Sequence, residues 1–106
     1  DDWRRQYNSN FLKFAYNKDF AIAYDRMICL KDGQYKIEAH TIRNGAGDHT
    51  SIYINGVRCS RGHAGTSNHD TITVSLNANL KRGDYVQLIG CWYPNQSYSN
   101  FQINRI

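Results

Sequence analysis

The chain has 106 residues, of which 41% are hydrophobic and 13% aromatic, with a single proline and a formal charge of +4. This length fits one domain around one hydrophobic core, and the composition excludes disordered and collagen-like chains. The basic residues are scattered along the sequence, which argues against nucleic-acid binding. No apolar run approaches the roughly 20 residues of a membrane-spanning helix, so no membrane insertion is expected.

The start of the chain and its cysteines indicate its context. The chain opens at Asp1 without a methionine, and residues 1–10 are interpreted as a polar lead-in from a longer protein. Three cysteines cannot all pair with one another, which favours synthesis in a reducing cytoplasm. Cys29 and Cys91 lie in apolar segments and are expected to be buried free thiols, whereas Cys59 lies in a predicted loop.

The first half of the chain contains five predicted strands. The most informative stretch runs from Gly33 to Val57, where polarity alternates with period two along two arms, as in strands with one buried face. A glycine-rich turn joins the arms, so the sequence predicts an antiparallel hairpin. Asn55-Gly56 ends the second arm and favours a tight turn. The predicted strands are Phe11–Tyr16, Phe20–Tyr24, Arg26–Leu30, Tyr35–Thr41 and Ser51–Asn55.

The second half combines two loops with three predicted strands. Arg58–Asp70 is rich in glycine, serine and asparagine, and it is predicted to be the longest exposed loop. Thr71–Leu80 alternates strictly and predicts a strand with one buried face. Asp84–Tyr93 is apolar on both faces. A polar loop, Pro94–Asn100, and a last strand, Phe101–Ile106, follow.

Eight short strands without helical periodicity predict an all-β sandwich or jelly roll. Phe11–Tyr16 and Asp84–Tyr93 are apolar on both faces, although a sandwich strand turns only one face to the core. The second face is therefore expected to meet another subunit. The predicted core is Ile22, Ile28, Tyr35, Ile37, Ile52, Ile54, Ile72, Val74, Leu76, Leu88 and Phe101. The predicted interface is Phe11, Phe14, Tyr16, Tyr85, Gln87 and Ile89.

Four motifs follow one another in order over residues 20–106: Gly33, Tyr35, Ile37 and His40; Asn55-Gly56; Leu80, Gly83, Asp84 and Val86; and Ser99 with Phe101. Their order and spacing resemble the globular heads of the complement recognition subcomponent and the wider tumour necrosis factor-like superfamily. The chain lacks the Phe-Ser-Gly-Phe-Leu-Leu ending of animal heads and is more similar to the trimmed heads of bacterial surface proteins, phage tail fibres, tail needles and head decorations. The resemblance implies a jelly roll of eight to ten antiparallel strands that forms a homotrimer without enzymatic activity.

The residue patterns contain no catalytic motif and no complete metal site. A Gly-x-Ser-x-Gly elbow, a P-loop and a His-Glu-x-x-His sequence are absent. Cys59, His63 and His69 lack the fourth ligand and the closely spaced pairs of a structural zinc site. A solvated loop is the preferred interpretation, and neither a metal nor a cofactor is predicted. His40 is expected on an outer face or a subunit seam, with a structural hydrogen bond.

Three functional hypotheses follow. The first is a non-enzymatic trimeric knob of a virion or cell-surface fibre or decoration protein, acting in attachment to a host surface or in structural stabilisation. The second is a secreted signalling or recognition head of animal type, and the third is a monomeric carbohydrate-binding module with aromatic side chains that stack on sugars. A cell-surface glycan or a protein receptor would be bound by residues of the two loops. These ligand-binding residues are Arg58, Arg61, His63, Trp92, Tyr93 and Tyr98.

Overall fold

The computed structural model describes residues 19–42, 49–63, 70–90 and 100–106. In these ranges the chain forms eight strands in two antiparallel sheets. The predicted strands that fall within them are confirmed with small changes in their bounds, while Phe11–Tyr16 lies outside the described residues. The strands are β1 (Phe20–Ala23), β2 (Arg26–Cys29), β3 (Gly33–Ile42), β4 (His49–Ile54), β5 (Val57–His63), β6 (Thr71–Leu80), β7 (Tyr85–Gly90) and β8 (Asn100–Arg105).

The two sheets divide strands that are neighbours in sequence. The five-stranded sheet has the order β1-β2-β7-β4-β5 and the three-stranded sheet the order β6-β3-β8. The predicted hairpin between Gly33 and Val57 is therefore wrong, because β3 pairs with β6 and β8 whereas β4 pairs with β5 and β7. Alternating polarity shows that each arm buries one face. That pattern is the same whether two strands lie side by side or face each other across a core.

The core lies between the sheets, and most of its predicted members are buried there. Ile22, Ile54 and Leu76 are partly buried and pack against it. Ile28 is the exception, because it is paired with Tyr85 and lies half-buried on the opposite side of its sheet, while the adjacent Met27 and Cys29 fill the core. The predicted burial of the Cys29 thiol is thus confirmed. The central cluster is Phe20, Met27, Cys29, Tyr35, Ile37, Ala39, Ile52, Val74, Leu80, Val86, Leu88, Phe101 and Ile103.

Strand β5 replaces the first part of the predicted loop Arg58–Asp70, and Cys59 is accordingly an exposed strand residue. The inner side of β5 is filled by small residues. The Ser60 hydroxyl donates a 2.8 Å hydrogen bond to the Ser75 carbonyl of β6, and a Cβ atom added to Gly62 would lie 2.5 Å from the Thr73 carbonyl oxygen. The close approach of the two sheets requires serine and glycine here, so a strand has the composition of a loop.

The β4–β5 turn confirms the prediction for Asn55-Gly56. Both residues have positive φ, 52° and 82°, as the central residues of a type I′ turn require. The Asn55 side chain also links the turn to β7, since its Nδ2 donates to Asp84 Oδ1 at 3.0 Å and its Oδ1 accepts from the Tyr85 amide at 3.0 Å. Asp84 Oδ2 accepts from the Lys81 amide at 2.8 Å. The turn and the start of β7 are held as one unit.

Candidate functional site

The predicted ligand and interface residues within the described ranges lie on one surface, the side of the five-stranded sheet that faces away from the core. Cross-strand partners of an antiparallel sheet project to the same side, and the alternate positions Ile52, Val86 and Leu88 fill the core. We call this surface the outer face. It comprises His49, Ser51 and Tyr53 of β4, Arg58, Arg61 and His63 of β5, and Tyr85, Gln87 and Ile89 of β7.

Two arginines of β5 occupy different environments on the outer face. Arg58 is paired with Tyr53; its Nε donates to the Tyr53 hydroxyl at 3.2 Å, and its guanidinium lies 5.7 Å from the ring centroid. Arg61 is paired with Ser51 and is exposed. Tyr53 therefore orients one arginine by hydrogen bonding and cation–π contact, while the second extends from a rigid strand. Both positive charges are accessible to an anionic ligand.

Two histidines face each other at the end of the β4–β5 hairpin. His63 is the cross-strand partner of His49, and the ring centroids lie 6.3 Å apart with the planes inclined at 49°. A register shift at Ile52 and Tyr53 adds one residue to β5, which brings these two side chains into register. The sequence prediction named His63 but missed His49. A hairpin register counted from the Asn55-Gly56 turn without a shift would place His49 opposite Gly62, one residue from its actual partner, so the sequence could have located the pair approximately.

The outward side chains of β7 form the centre of the outer face. Tyr85 and Gln87 are half-buried, and Ile89 is 46% exposed. Gln87 is paired with Tyr53, and Ile89 with Ser51, so these residues adjoin the β4 row directly. The alternate residues Val86 and Leu88 belong to the core. One side of β7 thus fills the core and the other side lies on the outer face. A subunit interface at Tyr85, Gln87 and Ile89 stays a prediction.

A charged pair borders the outer face beside β7. The Arg26 Nε lies 2.8 Å from Asp25 Oδ1, and the Arg26 guanidinium stacks 4.2 Å from the centroid of the Tyr85 ring. Gln87 Nε2 donates to Asp25 Oδ2 at 3.0 Å. The hydrogen bond from Arg26 lowers the pKa of the Asp25 carboxyl, which keeps it ionised. Sequence reasoning missed this contact because the β1–β2 turn reaches β7 only through sheet pairing.

Two hydroxyls of β4 are buried without a hydrogen-bond partner in the described part of the chain. Thr50 and Ser51 are 0% and 1% exposed, and neither side-chain oxygen has a partner. Ser51 lies between its cross-strand partners Arg61 and Ile89. A buried polar atom without a partner lowers stability, so neither the core side of β4 at Thr50 nor its outer face at Ser51 is optimised for folding alone.

Several predicted residues lie outside the described ranges. For the ligand set these are Trp92, Tyr93 and Tyr98, and for the interface set Phe11, Phe14 and Tyr16. His40 has the predicted position, since it is on the outward side of β3 and its Nδ1 lies 3.2 Å from Thr73 Oγ1 in a hydrogen bond. The aromatic contribution to ligand binding stays a prediction.

The extended backbone of β5 rules out a shared metal ion at Cys59 and His63. A strand rises by about 3.3 Å per residue, which places positions four apart at about 13 Å. In the described ranges no group of three or more histidine, cysteine or carboxylate side chains is arranged to hold a metal ion. Those ranges also contain no helix with the length and apolar character needed to span a membrane.

Comparison with known proteins finds a similar fold but no similar sequence. No protein-family model matches the chain, and no curated protein matches its sequence. The fold is similar to the crystal structure of rabbit GITRL, a tumour necrosis factor-family ligand, with a TM-score of 0.61, 14% identity, and coverage of 82% of this chain and 76% of that chain. The fold is a tumour necrosis factor-like jelly roll. At this identity the likeness concerns the fold, so the functional argument rests on the outer face of the jelly roll.

Proposed function

We propose that the chain is a non-enzymatic recognition head that forms a trimeric knob on a virion or on a cell-surface fibre or decoration protein. Its role is attachment to a host surface or stabilisation of the structure that carries it. The tumour necrosis factor-like jelly roll supports a recognition head. The composition of the outer face is the observation that carries the proposal, because it combines an exposed apolar residue, half-buried polar and aromatic residues, and arginines on rigid strands.

The interface of the proposed trimer includes the β7 part of the outer face. Ile89 is 46% exposed beside the half-buried Gln87, whose side chain is oriented by Asp25. An apolar residue surrounded by ordered polar groups is typical of a protein–protein contact with a polar rim. Phe11, Phe14 and Tyr16 are expected to complete the contact.

Light scattering tests the assembly. We expect a species near three times 12.3 kDa, and a melting temperature that rises with protein concentration because association stabilises the folded subunit. Ile89→Asp should dissociate the trimer, whereas Val57→Asp, at an exposed position at the start of β5, should leave it intact. A monomer at micromolar concentration would contradict the knob and favour the carbohydrate-binding module. A trimer that survives Ile89→Asp would move the interface to another surface.

We further propose that the ligand is an anionic cell-surface glycan or an acidic patch of a receptor. Arg58 and Arg61 supply positive charge on β5 and His63 adds an exposed imidazole, while Trp92, Tyr93 and Tyr98 would add stacking surfaces. Electrostatic attraction of this kind increases the rate of encounter and falls with ionic strength. The β5 residues lie on the same face as the proposed interface, with β4 between them and β7, so a ligand would bind at the rim of the assembly.

A glycan array tests this binding site. Replacing Arg58, Arg61 and Tyr98 together with alanine should abolish binding to sulfated or sialylated glycans. Lys36→Ala is the matched control, since Lys36 is an exposed cation on the three-stranded sheet, 3.4 Å from Glu38. Binding unchanged by the triple substitution would remove the proposed ligand site.

A recognition head of animal type is the second candidate, and the likeness to rabbit GITRL favours it. The two candidates differ in the surface that they would bind. Fluorescently labelled protein applied to bacterial and to animal cells distinguishes them: a phage or bacterial knob should label bacterial or other host surfaces, and an animal-type head should label animal cells. The Arg58, Arg61 and Tyr98 variant serves as the non-binding control in both assays.

A further inference from the structure

We infer that His49 and His63 form a surface binding site for a divalent late transition-metal ion, with Cu²⁺, Ni²⁺ and Zn²⁺ as the expected occupants. The site goes beyond the proposed recognition function and does not depend on it. Its basis is the pairing of two imidazoles directly across adjacent strands of the outer face. Imidazole nitrogen is a preferred ligand of all three ions.

The separation of the two rings suits a shared ion. A metal ion lies about 2.0–2.1 Å from a coordinating imidazole nitrogen, which places it about 3.2 Å from the ring centroid. Two rings bound to one ion therefore have centroids between about 5 and 6.4 Å apart, depending on the angle at the metal. The observed 6.3 Å lies within this interval. Rotation of the side chains would have to aim one nitrogen of each ring at the ion, in exchange for interactions that both imidazoles already make.

The backbone holds the pair in register. The Asn55-Gly56 turn and the register shift beside Tyr53 fix which residues of β4 and β5 face each other. Because both histidines are anchored on paired strands, little conformational entropy is lost when they bind one ion, which favours a two-residue site. His63 is exposed and His49 is half-buried, so an ion from solution can reach the pair and water can complete its coordination.

The ligand type determines which ions bind, and a neighbouring charge weakens the binding of all of them. Arg61 lies two residues before His63 on the same side of β5, and its positive charge opposes a cation. Hard cations such as Mg²⁺ and Ca²⁺ are excluded because they require several oxygen ligands, which two imidazoles do not supply. Among divalent ions, affinity for nitrogen ligands rises from Ni²⁺ to Cu²⁺ and is lower for Zn²⁺. We expect the same order here.

Calorimetric titration with NiCl₂ and ZnCl₂ tests the site in a Cys59→Ser background, which removes the exposed thiol as a competing ligand. We expect one ion per chain. His49→Ala and His63→Ala should each reduce affinity at least about tenfold, equivalent to about 1.4 kcal/mol. His40→Ala is the matched control and should have no effect, because His40 lies on the other sheet. Arg61→Gln should tighten binding, an effect that a merely structural role of the histidines would not produce.

The outcomes that overturn the inference are equally specific. They are the absence of binding at millimolar Ni²⁺, full affinity in His49→Ala, and loss of binding through His69→Ala alone. Far-UV circular dichroism of each variant checks folding, and His49→Gln and His63→Gln replace any alanine variant that fails to fold. In Cu²⁺-loaded protein, electron paramagnetic resonance should show two nitrogen ligands, and one of them should be lost in either variant.

Discussion

Two serines on neighbouring strands have opposite effects on folding. Ser60 donates a 2.8 Å hydrogen bond to the Ser75 carbonyl and thereby joins the sheets, whereas the buried Ser51 hydroxyl has no partner in the described ranges. Ser60→Ala should lower the free energy of unfolding by about 0.5–1.5 kcal/mol, and Ser51→Ala should raise it by up to about 1 kcal/mol. Urea unfolding monitored by circular dichroism measures both. A destabilising Ser51→Ala would show that its hydroxyl is satisfied.

Asp84 should make stability depend on pH. The Lys81 amide, followed by the Asn55 side chain, lowers the pKa of its carboxyl below the unfolded value. The unfolded chain therefore takes up a proton first as the pH falls, and the stabilisation present above the unfolded pKa is lost as the pH falls through the folded one. Asp84→Asn should destabilise the protein at neutral pH. The difference from wild type should shrink between about pH 5 and pH 2; a constant difference would contradict this account.

At the scale of elements, the most informative wrong prediction is the loop at the position of β5. Its polar and small residues predicted a loop, and only pairing with β4 and close approach to β6 make them a strand. Amide exchange followed by nuclear magnetic resonance tests the assignment. Roughly every second amide of Val57–His63, those directed at β4, should be protected, as expected for a strand paired on one side. Uniformly fast exchange of these amides would contradict the strand and support the predicted loop.

The candidate site was predictable only in part from the sequence. Period-two alternation separated Tyr85, Gln87 and Ile89 from the core positions of β7, and the exposed basic residues of β5 were identified by type. The neighbours His49, Tyr53 and Arg26 could not be assigned, because their contacts arise from pairing between strands and local patterns do not specify a partner. The same reason explains why β3 and β4 were wrongly joined in one sheet. Ile28 was assigned to the core because Met27, Ile28 and Cys29 are all apolar, so their sequence does not show which side of this short strand is buried.

For the whole molecule, we expect the fold to be stable without a disulfide bond or a bound metal ion. Cys29 is buried and donates to the Lys31 carbonyl at 3.1 Å, and burial raises the pKa of its thiol, which keeps it protonated and unreactive. The ion inferred at His49 and His63 would bind a hairpin that is already formed. Thermal unfolding should therefore change little with dithiothreitol or EDTA. A fall of more than about 10 °C, or roughly 1–3 kcal/mol, would reveal a structural bridge or metal.

The pairing of β3 also constrains when the chain can fold. Along β3, Tyr35 is matched on one side with Ala78 and on the other with Arg105, so the strand acquires its full set of partners only from the last residues of the chain. Pairings so distant in sequence are slow to form, because a large loop must close before any contact compensates for it. The backbone groups of β3 that face β8 therefore stay unpaired until β8 is available. The three-stranded sheet is therefore complete only when β8 has docked, and removal of β8 would make β3 an unprotected edge strand.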